Sequence, residues 1–273
     1  MLLSKCRKTV DTFAPPLGRL FRLSRDMTSR RRSIQTQYGF CLAGDPSMTS
    51  KDWEVDGIQT FLRLLETHDA VIDIGANVGF YSCLAASRGK SAIAFEPASR
   101  NLYFLYKNLW ENRLSDVEVF PLGLAGQCGL KRIYGFGGIS SFVPGWAQAR
   151  EAASSIVPVT TLDTIAAGRF QHQKLLIKMD VEGFELDVLA GAEKILGMNP
   201  KPTWLVEILL RDEVIPGGVS QKFAETFEVF WRHGYQSRML NAARTPVLQT
   251  DVSRWIANGV VDPETHDFIF SAN

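Results

Sequence analysis

Three short runs bring together residue types that handle polar ligands and protons. The first is Val71-Ile-Asp73-Ile-Gly75-Ala-Asn77-Val-Gly79-Phe-Tyr-Ser82. It reads as a strand, a glycine turn and a helix start, the junction where open α/β sheets bind ligands. Gly75 lets a ligand approach the backbone of a tight turn. Gly79 is expected to let the next helix pack closely against the strand. A dinucleotide fingerprint needs glycine at 77 and a small residue at 80. Asn77 and Phe80 stand there, so that fingerprint fails. The remaining D-x-G-x-N-x-G sets an acid and an amide beside the turn, which suits the zwitterionic amino-acid end of S-adenosylmethionine.

The second run is Phe95-Glu96-Pro97, roughly 20 residues beyond the turn, the usual spacing for a ribose reader. Two carboxylate oxygens match the two adjacent hydroxyls of a ribose. The third is Ile177-Lys-Met-Asp180-Val-Glu182-Gly-Phe-Glu185. On extended backbone Asp180 and Glu182 point the same way, and Lys178 shares their parity. Such a pair suits general-base work on a substrate hydroxyl, or the clamping of polar groups. Helix capping competes with that reading for both residues, and is the preferred reading for Glu185.

These runs need a scaffold that brings strand ends to one edge. Val55, Ile58, Leu62 and Leu65 share a helical face. Strand-like 70–74, 91–95 and 117–120 then alternate with helical patterns around 81–85 and 102–109, and Gly89 is placed to end the first of those helices. This is the β-α-β-α-β order of a parallel sheet with helices on both faces. Residues 126–160, rich in Gly, Ser and Pro, interrupt the rhythm, with β-like pieces at 131–134 and 156–159. They are expected to cover the ligand pocket, and Ser141 there offers a hydroxyl to a substrate. Phe136, Phe142 and Trp146 are read as the small core of this lid ahead of stacking on a sugar. A strand at 174–179, a helical stripe from Phe184 to Leu196, a strand at 203–208, a helix around 223–231 and strands at 235–240 and 266–270 follow. The last two suit an antiparallel hairpin at the sheet edge, joined by a long loop.

The formal charge of +1 is a cancellation. Residues 1–37 hold nine Lys or Arg and two acids, a balance of +7, and the remainder balances at −6. The chain is therefore read as a basic extension (1–37) and one domain (38–273). The extension is read chiefly as solvated, with a presequence as another reading. Leu17, Leu20 and Phe21 among arginines would also permit weak contact with a membrane surface. Cys6, Cys41, Cys83 and Cys128 form no C-x-x-C pair, which argues against a zinc site or disulfide framework. A reduced, cytoplasmic setting is the expectation. The acidic body offers no broad face for phosphates, so nucleic acid is not an expected partner.

VIDIGANVGFYS, AFEPASRN, VTTLDTIA and IKMDVEGFELDVLAGA together resemble the FkbM family of S-adenosylmethionine-dependent methyltransferases, over about residues 38–270. The resemblance implies an α/β, Rossmann-like class I methyltransferase fold. Its sheet would be mostly parallel and seven-stranded, with helices on both faces and strands six and seven antiparallel. It implies methyl transfer, mostly to hydroxyls of sugars, glycans or polyketide-like molecules. Carried over, Asp73, Gly75, Asn77 and Gly79 would line the methionine end of S-adenosylmethionine and Glu96 the ribose. Adenine would rest on backbone and apolar contacts around Leu122. Asp180 and Glu182 match the family's acidic pair and are the catalytic candidates; Glu207 and His172 are lesser ones. Glu54 and Glu207 match further acids on the substrate side. No metal is required by the spacing. An NAD-dependent oxidoreductase and a non-catalytic binding protein on the same fold are the alternatives.

Overall fold

The strands Ala70–Ile74 and Leu175–Met179 are buried at every position, so apart from Asp73 and Lys178 they read as apolar runs and not as alternating ones. Both their faces are covered. The computed structural model describes residues 32–135, 137–146, 154–211, 214, 218–241 and 243–272. Most of the basic extension and Phe136 therefore lie outside the described residues.

Two short strands, β1 (Ile34–Gln35) and β2 (Cys41–Leu42), precede helix α1 (Val55–Leu65). The ligand-binding half follows as β3 (Ala70–Ile74), α2 (Phe80–Ser87), β4 (Ser91–Phe95), α3 (Ser99–Glu111) and β5 (Glu118–Phe120). Then come β6 (Gly123–Leu124), β7 (Gly129–Tyr134), β8 (Ser154–Thr160) and α4 (Leu162–Ala166). The second half is β9 (Leu175–Met179), α5 (Glu185–Ala190), α6 (Glu193–Leu196), β10 (Thr203–Glu207) and α7 (Lys222–Arg232). It closes with β11 (Gln236–Met239), β12 (Pro246–Val247), α8 (Gln249–Asn258) and β13 (Asp267–Ser271).

The main sheet has the order β12-β11-β13-β10-β9-β3-β4-β5. The run from β5 to β10 is parallel. The order reverses between β3 and β9, which is where an open α/β sheet opens a crevice at its C-terminal edge. Strand β13 runs antiparallel to both β10 and β11, and sits between them. The expected antiparallel pairing of the last two strands is present, with β13 inserted between β10 and β11. Its connection is also not a bare loop: it contains β12 and α8. The short β12 raises the expected seven strands to eight.

Two cores cover the two faces. On one, Ile72, Ile74, Ile177, Met179 and Val206 pack against α5, α6, α7 and α8. On the other, Val71, Ala94, Leu176 and Leu205 pack against α1, α2 and α3. The helical stripe 184–196 is broken in two. A Cβ on Gly191 would lie 2.2 Å from the Ala125 carbonyl oxygen. The Asp163 carboxylate then caps the second piece by accepting the Lys194 and Ile195 N–H groups, at 2.9 and 3.1 Å. Strands β6, β8 and β7 form a separate three-stranded sheet beside the crevice.

Candidate active site

A cleft of about 540 Å³, counting its open mouth, lies at the β3/β9 switch point. Gly75, Asn77, Glu96, Leu122, Asp180 and Glu182 line it, so the structure brings these six sequence-predicted residues together. Ile133, Gly137, Gly138, Ser140 and Phe142, from the 126–160 stretch, form another wall.

Gly75 follows β3 directly with φ +79°, and its N–H donates to the Phe95 carbonyl at 3.0 Å. A Cβ there would come 1.9 Å from the Asp180 carbonyl oxygen, so the turn and the end of β9 touch through bare backbone. Asn77 also adopts a positive φ, +52°. That turn aims its N–H at Glu96 Oε2, at 2.8 Å. Glu96 Oε1 accepts the Ala98 N–H at 2.7 Å. Glu96 is buried, and burial pushes its carboxyl up to about 7, against the pull of the Ala98 and Asn77 N–H groups and the Asn101 side chain. Asn101 was not anticipated from sequence. It sits in the first turn of α3, lines the cleft, and donates to the Gly137 carbonyl at 3.2 Å.

Asp73 and Gly79 are not on the cleft wall. Asp73 is buried behind the turn, and its carboxylate accepts the Ser82 hydroxyl at 2.6 Å, which ties β3 to α2. Burial raises its carboxyl to about 6, with the Ser82 bond opposing. Gly79 makes room for Leu105 of α3, whose Cδ1 would lie 2.3 Å from an added Cβ. Its tight contact is thus with a second helix and not with the strand.

Asp180 and Glu182 do not alternate on extended backbone. Glu182 has φ +54°, in the left-handed region. Its carboxylate accepts the Trp146 indole N–H at 2.9 Å, and its carbonyl accepts the Ser141 hydroxyl at 2.6 Å. Ser141 Oγ also accepts the Val143 N–H, so this hydroxyl clamps backbone. Trp146 covers Gly183, and Phe142 packs against Phe184 with ring centroids 5.0 Å apart. Both aromatics therefore serve packing between the 126–160 stretch and the end of β9.

Asp180 belongs to a second constellation as well. Lys178 Nζ, buried, lies 3.6 Å from Asp180 Oδ2 and 3.9 Å from Asp267 Oδ1. It also lies over the Tyr81 ring at 5.6 Å, and the Tyr81 hydroxyl donates to Glu54 Oε2 at 2.6 Å. Burial alone would lower the Lys178 ammonium. The carboxylates of Asp180, Asp267, Glu207 and Glu54 outweigh it and hold the group charged. Glu207 is raised well above the ordinary carboxylate range, first by Asp180 and then by burial. Glu54 and Glu207 thus stand with Lys178 beside Asp180, off the cleft wall. His172 lies in the loop before β9. Among the described residues, no group of three His, Cys, Asp or Glu is disposed to hold a metal ion. In the acidic cluster the central cation is the lysine.

Residues 73–237 match the family model described as the Methyltransferase FkbM domain. The chain belongs to the FkbM methyltransferase family. The match begins at Asp73 and takes in every cleft residue named above. It overturns the oxidoreductase alternative, in agreement with Asn77 where a dinucleotide reader needs glycine. No curated protein matches the sequence. Among solved structures, the chain is similar to an FkbM methyltransferase from Methylobacillus flagellatus KT, at 20% identity and TM-score 0.46, covering 75% of this chain and 44% of that one. It is also similar to a precorrin-6y C5,15-methyltransferase from Geobacter metallireducens GS-15, at 13% identity and TM-score 0.40, covering 85% and 92%. A third is Aeropyrum pernix fibrillarin with natively bound S-adenosyl-L-methionine, at 12% identity and TM-score 0.42, covering 76% and 68%. The chain thus spans less than half the length of the M. flagellatus protein.

Proposed function

We propose that this FkbM methyltransferase uses S-adenosylmethionine and methylates a hydroxyl oxygen on a sugar, glycan or polyketide-like small molecule. One observation carries the reading. A single cleft sets a buried ribose-type acceptor, Glu96, on one side and a carboxylate pair, Asp180 and Glu182, on the other.

The residues present suit the cofactor. Glu96 is pre-aimed by two backbone N–H groups, and each oxygen keeps lone-pair capacity for a hydroxyl. Leu122, Ile133 and Phe142 offer apolar surface for a base. Gly75 and Asn77, both half-buried, bring the turn and a side-chain amide to the cleft wall for the amino-acid end. Asp73 contributes indirectly, by bracing the turn through Ser82. When bound, the cofactor supplies an electrophilic methyl group on a sulfonium.

Asp180 is the residue to take the acceptor's proton. It reaches the cleft, and Lys178 holds it in place from behind. A positioned base contributes about 10²–10⁴-fold to such a step. Glu182, held by Trp146, is placed to accept a hydrogen bond from an acceptor. Trp146 also borders a second cleft of about 900 Å³, counting its open mouth, lined by Val143, Gly183, Ile208 and Phe223. The test is a labelled-methyl transfer assay with pools of small hydroxylated molecules and glycans. Label is expected in a methyl ether with the wild type, and about 10²–10⁴-fold more slowly with Asp180→Asn. Label appearing on nitrogen or carbon instead would contradict the O-methyl assignment.

A further inference from the structure

The outward face of α3 carries aromatic rings that the described fold leaves uncovered. Tyr103, Tyr106 and Trp110 recur at i, i+3 and i+7, and are 55%, 49% and 81% exposed. The opposite face of the helix, with Phe104, Leu105 and Leu109, already supplies the core. Arg100 and Arg113 are exposed at the two ends of the same stretch. Glu111, its single acid, is engaged by Lys107 and by the Ser33 hydroxyl. That contact also fixes where the basic extension meets the fold. Ser33 follows directly on residues 1–32, which hold nine Lys or Arg against two acids.

We propose that this face is a docking surface for an anionic lipid bilayer. Tyr and Trp rings have an apolar body and a polar handle, which suits the headgroup level better than aliphatic side chains do. Arg100 and Arg113 add attraction to anionic headgroups, as do the cationic residues that precede Ser33 in the sequence. No helix among the described residues is long and apolar enough to cross a membrane, so the contact is one of lying on the surface. Other occupants fit less well. A two-fold contact between copies would set these arginines against arginines, and the extension itself is cationic. The inference is independent of the methyl-transfer reading. It places the lipid beside the helix whose Asn101 lines the cleft.

The test is co-sedimentation of the full chain with phosphatidylcholine vesicles, alone or containing phosphatidylserine. The wild type is expected to sediment with the anionic vesicles, less so as salt is added. Tyr103→Ser/Tyr106→Ser/Trp110→Ser is expected to weaken binding about tenfold or more. Leu130→Ser/Ile156→Ser, which removes exposed apolar residues elsewhere, is expected to bind as the wild type does. Should the triple variant fold poorly, Trp110→Glu on its own, at a position 81% exposed, gives the same test. Undiminished binding by the stripe variants, equal binding to neutral vesicles, no binding by the wild type, or a dimer that depends on the stripe would each overturn the proposal.

Discussion

Glu96→Gln is the most informative single change at the cleft. In the wild type both carboxylate oxygens are fixed, Oε2 by the Asn77 N–H at 2.8 Å and Oε1 by the Ala98 N–H at 2.7 Å. Glutamine keeps one acceptor and turns its amide NH₂ toward the other N–H. It also removes a buried charge, which offsets the lost bond, so the fold is expected to survive. Toward a ribose diol, one charge-assisted hydrogen bond disappears. Such a bond contributes about 1.5–3 kcal/mol, or roughly 10–150-fold in affinity. Calorimetric titration of S-adenosylmethionine is the assay, repeated across pH. Burial pushes the Glu96 carboxyl up to about 7 in the free protein, and the ionised form is the better acceptor for hydroxyls. Cofactor binding should therefore tighten as pH rises through about 7 in the wild type, with that dependence absent in the variant. Affinity of the variant within about twofold of the wild type, or the same pH profile in both, would refute the reasoning.

Four further outcomes follow from the same geometry. Asp180→Asn should lower kcat by about 10²–10⁴-fold with cofactor affinity nearly unchanged, read by single-turnover methyl transfer and calorimetry. Lys178→Met should leave the carboxylates around it uncompensated and cost about 3–5 kcal/mol in denaturant unfolding, with Lys178→Arg recovering part of it. Gly75→Ala should abolish cofactor binding and lower Tm, because its Cβ meets the Asp180 carbonyl at 1.9 Å and its φ is +79°. Burial pushes Asp73 up to about 6, and Glu96 and Glu185 up to about 7, from ordinary values of 3.8 and 4.5. Their stabilising contribution is complete below those ordinary values and is lost progressively as pH rises from them to about 6 for Asp73 and about 7 for Glu96 and Glu185. Tm should fall across that window, and less steeply in Glu96→Gln/Glu185→Gln.

Much of the scaffold was legible because its signals are local. Strands β3, β4, β9 and β10 are mostly apolar runs, broken in β3 by Asp73 and in β9 by Lys178, that lead into Gly75, Glu96, Asp180 and Glu207, and their shared direction puts those ends at one edge. The glycine turn and Glu96 could be placed from sequence for that reason. Side-chain aim could not. Asp73 and Gly79 belong to the turn motif, but their partners, Ser82 and Leu105, are set by how α2 and α3 stack. The parity argument for Asp180 and Glu182 assumed extended backbone, and the left-handed turn at Glu182 removes it. The link between Lys178 and Asp180 was visible in their parity. The approach of Glu54, Tyr81 and Asp267 depends on pairing over long sequence distances. Helix α8 was missed because Val252, Trp255 and Ile256 make too short a stripe to stand out. The break at Gly191 lies in a contact with Ala125 that no local pattern announces.

The central claim is that the cleft between Gly75, Glu96 and Asp180 holds S-adenosylmethionine. Equilibrium titration of the purified protein with S-adenosylmethionine and, separately, with NAD tests it most directly. Saturable binding of S-adenosylmethionine, lost in Glu96→Ala and with no comparable binding of NAD, is the predicted result. Absence of S-adenosylmethionine binding to the folded wild type, or binding indifferent to Glu96→Ala, would contradict it.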